Sequence, residues 1–260
     1  MKQLICGKAE VVLHDMEEEA VDLTTSPPYD RLRKYDGHDL DYDLLIEGLW
    51  KVTRPGGVVV WVVGDATVNG TETTTSFKQA LKFREVGFNL HDTMIFAKNN
   101  PIPQIYRNRY TNEFEYMFVF SKGAPTTHNP IMIPTKHPGA KPYNKNFSTG
   151  EQKRRGYRTK VKKEKIKGNI WYYTVGVKAV DKAAKFHPAA FPYQLAEDHV
   201  LSWSRKGDIV LDPLSGSGTT ALAAVRNERS FIGIEASEEY VQQSLLRVDE
   251  WQDKILPLIF

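Results

Sequence analysis

One stretch, DIVLDPLSGSGTTALAA (residues 208–224), restricts the fold more than any other. It begins apolar, turns glycine-rich and ends in helix formers, so it reads as a buried strand, a tight turn and a helix in immediate succession. Gly216, Gly218 and Ala221 satisfy the spacing G-x-G-x-x-G/A. Glycines there allow backbone torsions and a close ligand approach that a side chain would forbid. Nineteen residues after Gly216, Glu235 ends the next apolar run, FIGIE, where an acid can hold two ribose hydroxyls. These features predict a site for an adenosine-containing cofactor. A phosphate-cradling loop needs a lysine that is absent beside Thr219, so a nucleoside triphosphatase is not expected. A nicotinamide cofactor matches the glycine spacing almost as well. Asp212, directly before the loop, would however repel a pyrophosphate and suits a cationic ligand such as the sulfonium and amino acid of S-adenosylmethionine.

The rest of the chain alternates strand-like and helix-like segments. Apolar runs predict strands at residues 4–6, 21–24, 58–63, 90–97, 114–121, 208–211 and 231–235; the unbroken VVVWVV of 58–63 suits a strand covered on both faces. Helices are expected over residues 39–52, where Leu40, Leu44, Leu45, Leu49 and Val52 share one face, and over 76–86, 193–204, 219–226 and 237–250. Residues 17–20 read as a helical turn, and Pro55-Gly56-Gly57 as a stop before the strand at 58–63. The alternation implies an α/β fold with a doubly wound, mostly parallel, seven-stranded sheet. Ligands of such sheets bind beyond the carboxyl ends of the strands, near the switch point.

Residues 122–168 differ: they are rich in Lys, Arg, Pro, Gly and Asn and poor in aliphatic positions. From Lys136 to Lys167, twelve Lys or Arg face only Glu151 and Glu164, a local charge of +10; the net charge of the chain is +3, so the remainder carries −7. Tyr143, Phe147 and Tyr157 are interleaved with these cations. Cations for phosphates and flat rings for bases are what nucleic-acid contact requires. The expected organisation is one α/β domain of residues 1–121 and 169–260, interrupted by a basic inserted region, 122–168, with Lys153, Arg154, Arg155, Arg158, Lys160, Lys162 and Lys163 as its candidate nucleic-acid contacts. Cys6 is the only cysteine, which excludes an intramolecular disulfide and a multi-cysteine zinc site. No apolar run approaches ~18 residues, and the first residues lack a signal-peptide core; a cytoplasmic protein without a membrane partner is expected.

Near the start of the chain, Ser26-Pro27-Pro28-Tyr29 ends the strand at 21–24 with a rigid corner, since adjacent prolines continue neither strand nor helix. Taken with Asp212-Pro213-Leu214-Ser215-Gly216-Ser217-Gly218-Thr219-Thr220, it resembles the signature motifs of the DNA amino-methyltransferases, which methylate an exocyclic amine of adenine or cytosine using S-adenosylmethionine. The order here, catalytic motif, basic insertion and cofactor motif, resembles the beta group, a circular permutation of the usual methyltransferase order. RPGG with VVVWVVGD, FAKNNPIPQ, NRYTNEFEYMFVFSKG, FHPAAFPYQLAEDHVLSWS and FIGIEASEEY fall where that group places its shared segments, so the resemblance spans nearly the whole chain. It implies a Rossmann-like, circularly permuted fold in which the insertion is a target-recognition region. It also implies cofactor contacts from Asp212, Pro213, Ser215, Gly216, Ser217, Gly218, Thr219, Thr220 and Glu235, with His187 and Phe191 shaping the methionine pocket, and a catalytic set of Ser26, Pro27, Pro28 and Tyr29. Double-stranded DNA is the implied partner; a restriction endonuclease counterpart, and a monomer or a homodimer, all fall within the family's range. The permutation requires the third strand of the cofactor half to come from residues 4–6. That strand ends in Gly7-Lys8 here, where the family often has Gly-Asp.

Ser rather than Asp or Asn before Pro-Pro-Tyr, together with the Phe-Pro ending of HPAAFP, resembles the subgroup acting on N4 of cytosine; N6 of adenine is the alternative. Methylation at cytosine C5 requires a cysteine nucleophile, and Cys6, between Ile5 and Gly7 at a strand end, does not supply one. An exocyclic amine is a poor nucleophile because its lone pair is delocalised into the ring. Acceptors that hold its hydrogens orient that lone pair: the Ser26 hydroxyl for one and the Pro27 carbonyl for the other. Tyr29 offers a face for a base extruded from the duplex. Replacing Arg154 and Arg155 by Ala is expected to weaken DNA binding and to flatten its salt dependence by ~0.9 in log–log slope for each phosphate no longer neutralised. Titrations at several salt concentrations measure this, and an unchanged slope would make the basic run a solvated loop.

Overall fold

The structure, a computed structural model, describes residues 2–26, 40–101, 103, 108–140, 160–176 and 192–253. The apolar runs of the sequence become one eight-stranded sheet. Its members are β1 (Lys2–Cys6), β2 (Val21–Ser26), β3 (Thr53–Val63), β6 (Asn89–Lys98), β7 (Phe114–Ser121), β10 (Ile170–Tyr173), β11 (Ile209–Asp212) and β12 (Ser230–Glu235), in the spatial order β1-β12-β11-β2-β3-β7-β6-β10. All neighbours pair in parallel except β7, which is antiparallel to β3 and to β6. The seven-strand expectation is thus corrected by one strand. The eighth, β10, is only IWYY, with Trp171 and Tyr173 buried and Ile170 and Tyr172 exposed. So short an edge strand leaves no apolar run, and its pairing with β6 alone defines it. Residues 4–6 join the sheet as expected, with β1 adding in parallel to the outer side of β12.

Helices α1 (Ala9–Asp15), α2 (Tyr42–Val52) and α3 (Thr75–Glu85) pack in sequence against one another. Their apolar faces meet Val59, Trp61 and Val63 in a core that includes Leu13, Leu45, Ile46, Leu49, Phe83, Phe88 and Phe120. The alternate residues Val58, Val60 and Val62 are equally buried, so β3 is covered on both faces, as an unbroken apolar strand requires. Trp61 meets its one polar need by donating Nε1–H to the buried Gln79 Oε1 at 2.8 Å. Helices α4 (Tyr193–Trp203) and α5 (Thr219–Arg226) pack together, and α6 (Glu238–Asp253) lies against β1, β12 and α5. Tyr193 and Asn227 both hydrogen bond to Glu197 Oε1, at 2.7 and 3.1 Å, which clamps α4 to the end of α5. Burial and the Glu197 contact push the Tyr193 hydroxyl up to about 12, so it remains a donor. None of the helices among the described residues is long and apolar enough to cross a membrane.

Two local readings of the sequence change. Residues 17–20 form a turn with Glu19 at φ 55°, and the helix lies earlier, as α1. Residues 55–57 do not stop the chain. Val21 pairs with Thr53 and Leu23 with Val58, so residues 54–57 bulge from β3 opposite Asp22 alone. Gly56, at φ 79°, lets the backbone donate to Lys122 O and accept from Thr126; a Cβ there would lie 2.3 Å from Thr126 Cγ2. The bulge also aims Arg54 at Asp22: Arg54 Nε pairs with Asp22 Oδ1, while Asp22 Oδ2 accepts the backbone N–H of Ile209 at 2.7 Å.

The chain divides into two compact units, Met1–Asn129 with Asn169–Phe260, and Pro130–Gly168. The sheet and its helices make up the first. Within the second, β8 (Met132–Pro134) and β9 (Glu164–Ile166) form an antiparallel ladder extended by Thr135 N–H to Lys163 O at 2.9 Å and Gly139 N–H to Val161 O at 2.8 Å. Asp22→Ala removes the acceptor shared by Arg54 and Ile209, and is expected to cost about 1–3 kcal/mol in urea denaturation. A loss below a few tenths of a kcal/mol would show that this contact does not hold the sheet.

Candidate active site at the strand ends

The sheet's connections diverge between β11 and β2. From β11 the chain crosses through α5 to β12 on one side, and from β2 through α2 to β3 on the other. This is a topological switch point, the place where an open α/β sheet leaves a crevice beyond its carboxyl ends. Leu23 and Thr24 pair with Val210 and Leu211, so Ser26 and Asp212, which are 186 positions apart in the chain, end adjacent parallel strands. Glu235 ends β12, on the other side of β11. Beside this edge a small β4–β5 hairpin (Thr67–Val68 and Thr71–Glu72) leads from β3 into α3.

From Asp212 the chain turns at once. The Asp212 carboxylate is buried and accepts Leu214 N–H at 3.1 Å, an Asx turn. Ser215 N–H donates to Ile234 O at 2.9 Å and Gly218 N–H to Ser215 O at 2.8 Å. Gly216 and Gly218 lie at φ 50° and 70°, left-handed conformations that glycine adopts at no steric cost. Gly218 is the N-cap of α5, so the first amides of that helix, whose N–H groups have no intrahelical acceptor, begin at the loop. Gly233 on β12 is the close-approach residue: a Cβ there would lie 2.6 Å from Leu4 Cδ2 and 2.8 Å from Ser215 Oγ.

Glu235 is tethered through both oxygens, Oε2 accepting from Gly216 N–H and Oε1 from Ser237 N–H, each at 2.9 Å. The carboxylate keeps acceptor capacity beyond these two bonds. From α6, Ser244 Oγ donates to Gly216 O at 2.7 Å, and the buried Arg247 guanidinium donates to Ser217 O and, at 3.2 Å, to Thr219 Oγ1. Ser217 Oγ and Thr219 Oγ1 are 3.2 Å apart. Ser215 Oγ and Thr220 Oγ1 are buried and have no hydrogen-bond partner among the described residues.

The structure therefore brings Asp212, Pro213, Ser215, Gly216, Ser217, Gly218, Thr219, Thr220 and Glu235 into one loop and strand end, and sets the last residue of β2, Ser26, beside it. Pro27, Pro28, Tyr29, His187 and Phe191 lie outside the described residues, as do Lys153, Arg154, Arg155 and Arg158. Lys160, Lys162 and Lys163 are exposed in the Pro130–Gly168 unit. Sequence reasoning missed Ser244 and Arg247, which brace the loop from behind. Their signal was weak but present: they fall with Val241 and Val248 on one face of α6, at three- and four-residue spacing.

The fold and this strand-end loop define a doubly wound α/β protein with a cluster of polar groups at its switch point. The family model for N6/N4-type DNA methylases matches residues 21–246, and the chain belongs to that family. Among its relatives, the orphan methyltransferase M.BamHII of Bacillus amyloliquefaciens is 49% identical over 228 residues, covering 85% of each chain. The DNA adenine methyltransferase YhdJ of Escherichia coli (strain K12) is 28% identical, over 95% of this chain and 83% of its own. Among solved structures, the cytosine-N4-specific PvuII DNA methyltransferase shares the fold with TM-score 0.69 at 22% identity, over 94% of this chain and 85% of its own. The TTHA0409 protein of Thermus thermophilus, solved with S-adenosyl-L-methionine, superposes with TM-score 0.62 at 27% identity, over 96% and 95%.

Gly233→Ala is expected to force apart β12, Leu4 and the glycine loop, at a cost of about 1–3 kcal/mol from overpacking. Thermal and urea unfolding measure it; a neutral substitution would mean that the loop does not depend on this close approach.

Proposed function

We propose that this DNA methyltransferase transfers a methyl group from S-adenosylmethionine to N4 of cytosine in double-stranded DNA. The observation that carries this reading is the adjacency, at the switch point, of the strand ending in Ser26 and the strand ending in Asp212. The loop residues fit the cofactor. A buried carboxylate at Asp212 suits the cationic amino group and sulfonium of the cofactor, Glu235 has remaining acceptors for ribose hydroxyls, and the buried Ser215 Oγ and Thr220 Oγ1 await polar partners. The solved complex of the TTHA0409 protein supports the same cofactor. When bound, S-adenosylmethionine supplies a methyl group on a sulfonium. The chain's own part is to hold the acceptor amine. Ser26 accepts one amino hydrogen and the Pro27 carbonyl, fixed in direction by the proline rings, accepts the other. Tyr29 stacks on the extruded base. His187 and Phe191 border the methionine end, and Lys153, Arg154, Arg155, Arg158, Lys160, Lys162 and Lys163 of the target-recognition region neutralise phosphates. Catalysis is then positioning and electrostatics rather than covalent attack.

The serine before Pro-Pro-Tyr favours cytosine; the adenine specificity in the name of YhdJ favours N6 of adenine as the second reading. Duplex DNA is incubated with the protein and methyl-labelled cofactor, then digested to nucleosides. N4-methylcytosine is expected. Recovery of N6-methyladenine would replace the base assignment, and absence of any labelled nucleoside from folded protein would reject both readings. Ser26→Ala is expected to lower kcat on the order of 10²-fold, by analogy with the loss of one transition-state hydrogen bond, with cofactor affinity unchanged. Unaltered turnover would remove Ser26 from the site.

A further inference from the structure

Two consecutive threonines of β2, Thr24 and Thr25, are fully buried, and neither hydroxyl has a hydrogen-bond partner among the described residues. A buried hydroxyl left unpaired costs stability. Successive residues of a strand face opposite layers, so the two threonines meet different surroundings. Thr24 aligns with Leu211 of β11 and Val59 of β3, both members of the core that α1 and α2 cover. It is an interior residue of that layer. Thr25 aligns with Val60, on the opposite layer, where α4 packs on β2. One step beyond the Thr24–Leu211 pairing, Thr25 stands beside Asp212, and Asp212 in turn aligns with Gly233. Thr25, Asp212 and Gly233 therefore form a row on one face of three adjacent strands. A Cβ on Gly233 would lie 2.8 Å from Ser215 Oγ, so the Ser215 hydroxyl closes the row above β12.

The row collects one carboxylate and several unmade hydrogen bonds. Asp212 is buried, and the Thr25, Ser215 and Thr220 hydroxyls are buried without partners among the described residues. Ser215 and Thr220 belong to the loop and the first turn of α5. Thr25 comes from the other side of the switch point, on the strand that ends in Ser26. We propose that Thr25 is a further cofactor-binding residue, whose hydroxyl accepts a hydrogen bond from the amino group of S-adenosylmethionine beside Asp212. An ammonium carries three donors, and a hydroxyl has two acceptor lone pairs. Asp212 balances the charge; the hydroxyl adds an acceptor without a second negative charge in the same buried place. Thr25 immediately precedes Ser26, so one strand end holds the methyl donor and the acceptor amine one peptide unit apart, which is a positioning device. This deepens the functional reading and rests on its cofactor, not on which amine is methylated.

The test is calorimetric titration of S-adenosylmethionine into the wild type and the Thr25→Val, Thr25→Ser and Thr24→Val variants, with urea unfolding of each. Valine keeps the shape of threonine and removes the hydroxyl. Thr25→Val is expected to weaken S-adenosylmethionine roughly tenfold, as for the loss of one hydrogen bond to a charged group, while stability without cofactor is unchanged or raised. Thr25→Ser, which keeps the hydroxyl, is expected to restore binding, and Thr24→Val to leave it unchanged. 5′-Methylthioadenosine, which has the nucleoside but no amino acid, is expected to bind the wild type and Thr25→Val equally. Unchanged S-adenosylmethionine affinity in Thr25→Val overturns the proposal, as does an equal loss in Thr24→Val, which marks a disturbed strand rather than a lost contact. A loss that extends equally to 5′-methylthioadenosine overturns the assignment to the amino group. If Thr25→Val does not fold, Thr25→Ala against Thr25→Ser makes the same comparison: weaker binding by the alanine variant alone is expected, and equal binding overturns the proposal. A wild type that does not bind S-adenosylmethionine sinks the cofactor reading and this proposal together. A wild type that binds it no better than Thr25→Val sinks only the role of Thr25.

Discussion

Asp22 is the residue on which the sheet's two sequence-distant halves meet. One carboxylate oxygen takes the Arg54 guanidinium from the bulge of β3, and the other takes the Ile209 amide from the start of β11. The bulge takes residues 54–57 out of the β2–β3 ladder, and the side chain of Asp22 supplies the polar partner there instead. The consequence lies at the other end of the same strands. With β2 and β11 aligned in parallel from their first residues, their last residues, Ser26 and Asp212, end together at the switch point. The site thus depends on a contact at the opposite end of the sheet, where none of the proposed chemistry occurs.

The glycine loop shows a second division of labour. Its conformation is made possible by Gly216 and Gly218 but is held from outside, by Ile234 O, by Glu235 Oε2, and by Ser244 and Arg247 of α6. A loop fixed by buried hydrogen bonds from two other elements presents its backbone amides in one arrangement, which is the condition for electrostatic preorganisation. Glu235 is both a proposed ribose ligand and a structural tether, so its carboxylate is oriented before any ligand arrives.

Strands β3, β7 and β12 appear where the sequence predicts them, because a strand buried on both faces must be apolar throughout and shows itself without context. The exceptions have physical causes. Strand β10 alternates buried and exposed residues over only four positions, so nothing local distinguishes it from a loop. Pro55-Gly56-Gly57 looks like a terminator because proline and glycine commonly are; here tertiary pairing turns the same residues into a bulge. Within the site, the loop motif with Glu235 was legible as spacing. Ser244 and Arg247 were not, since a polar residue on a helix reads as solvated until packing buries it.

The sequence by itself determined the class of fold, the strand–glycine–helix unit, the acid at the end of the following strand and the family, because each rests on local composition or on short-range spacing. Only the tertiary structure decided that the edge strand β10 exists, that Asp22 joins β2, β3 and β11, that α6 braces the glycine loop, and that Phe77 of α3 and Phe114 of β7 both pack on Tyr116. Those are contacts between residues far apart in the chain, and they follow from how the strands pair, which no stretch of sequence specifies alone.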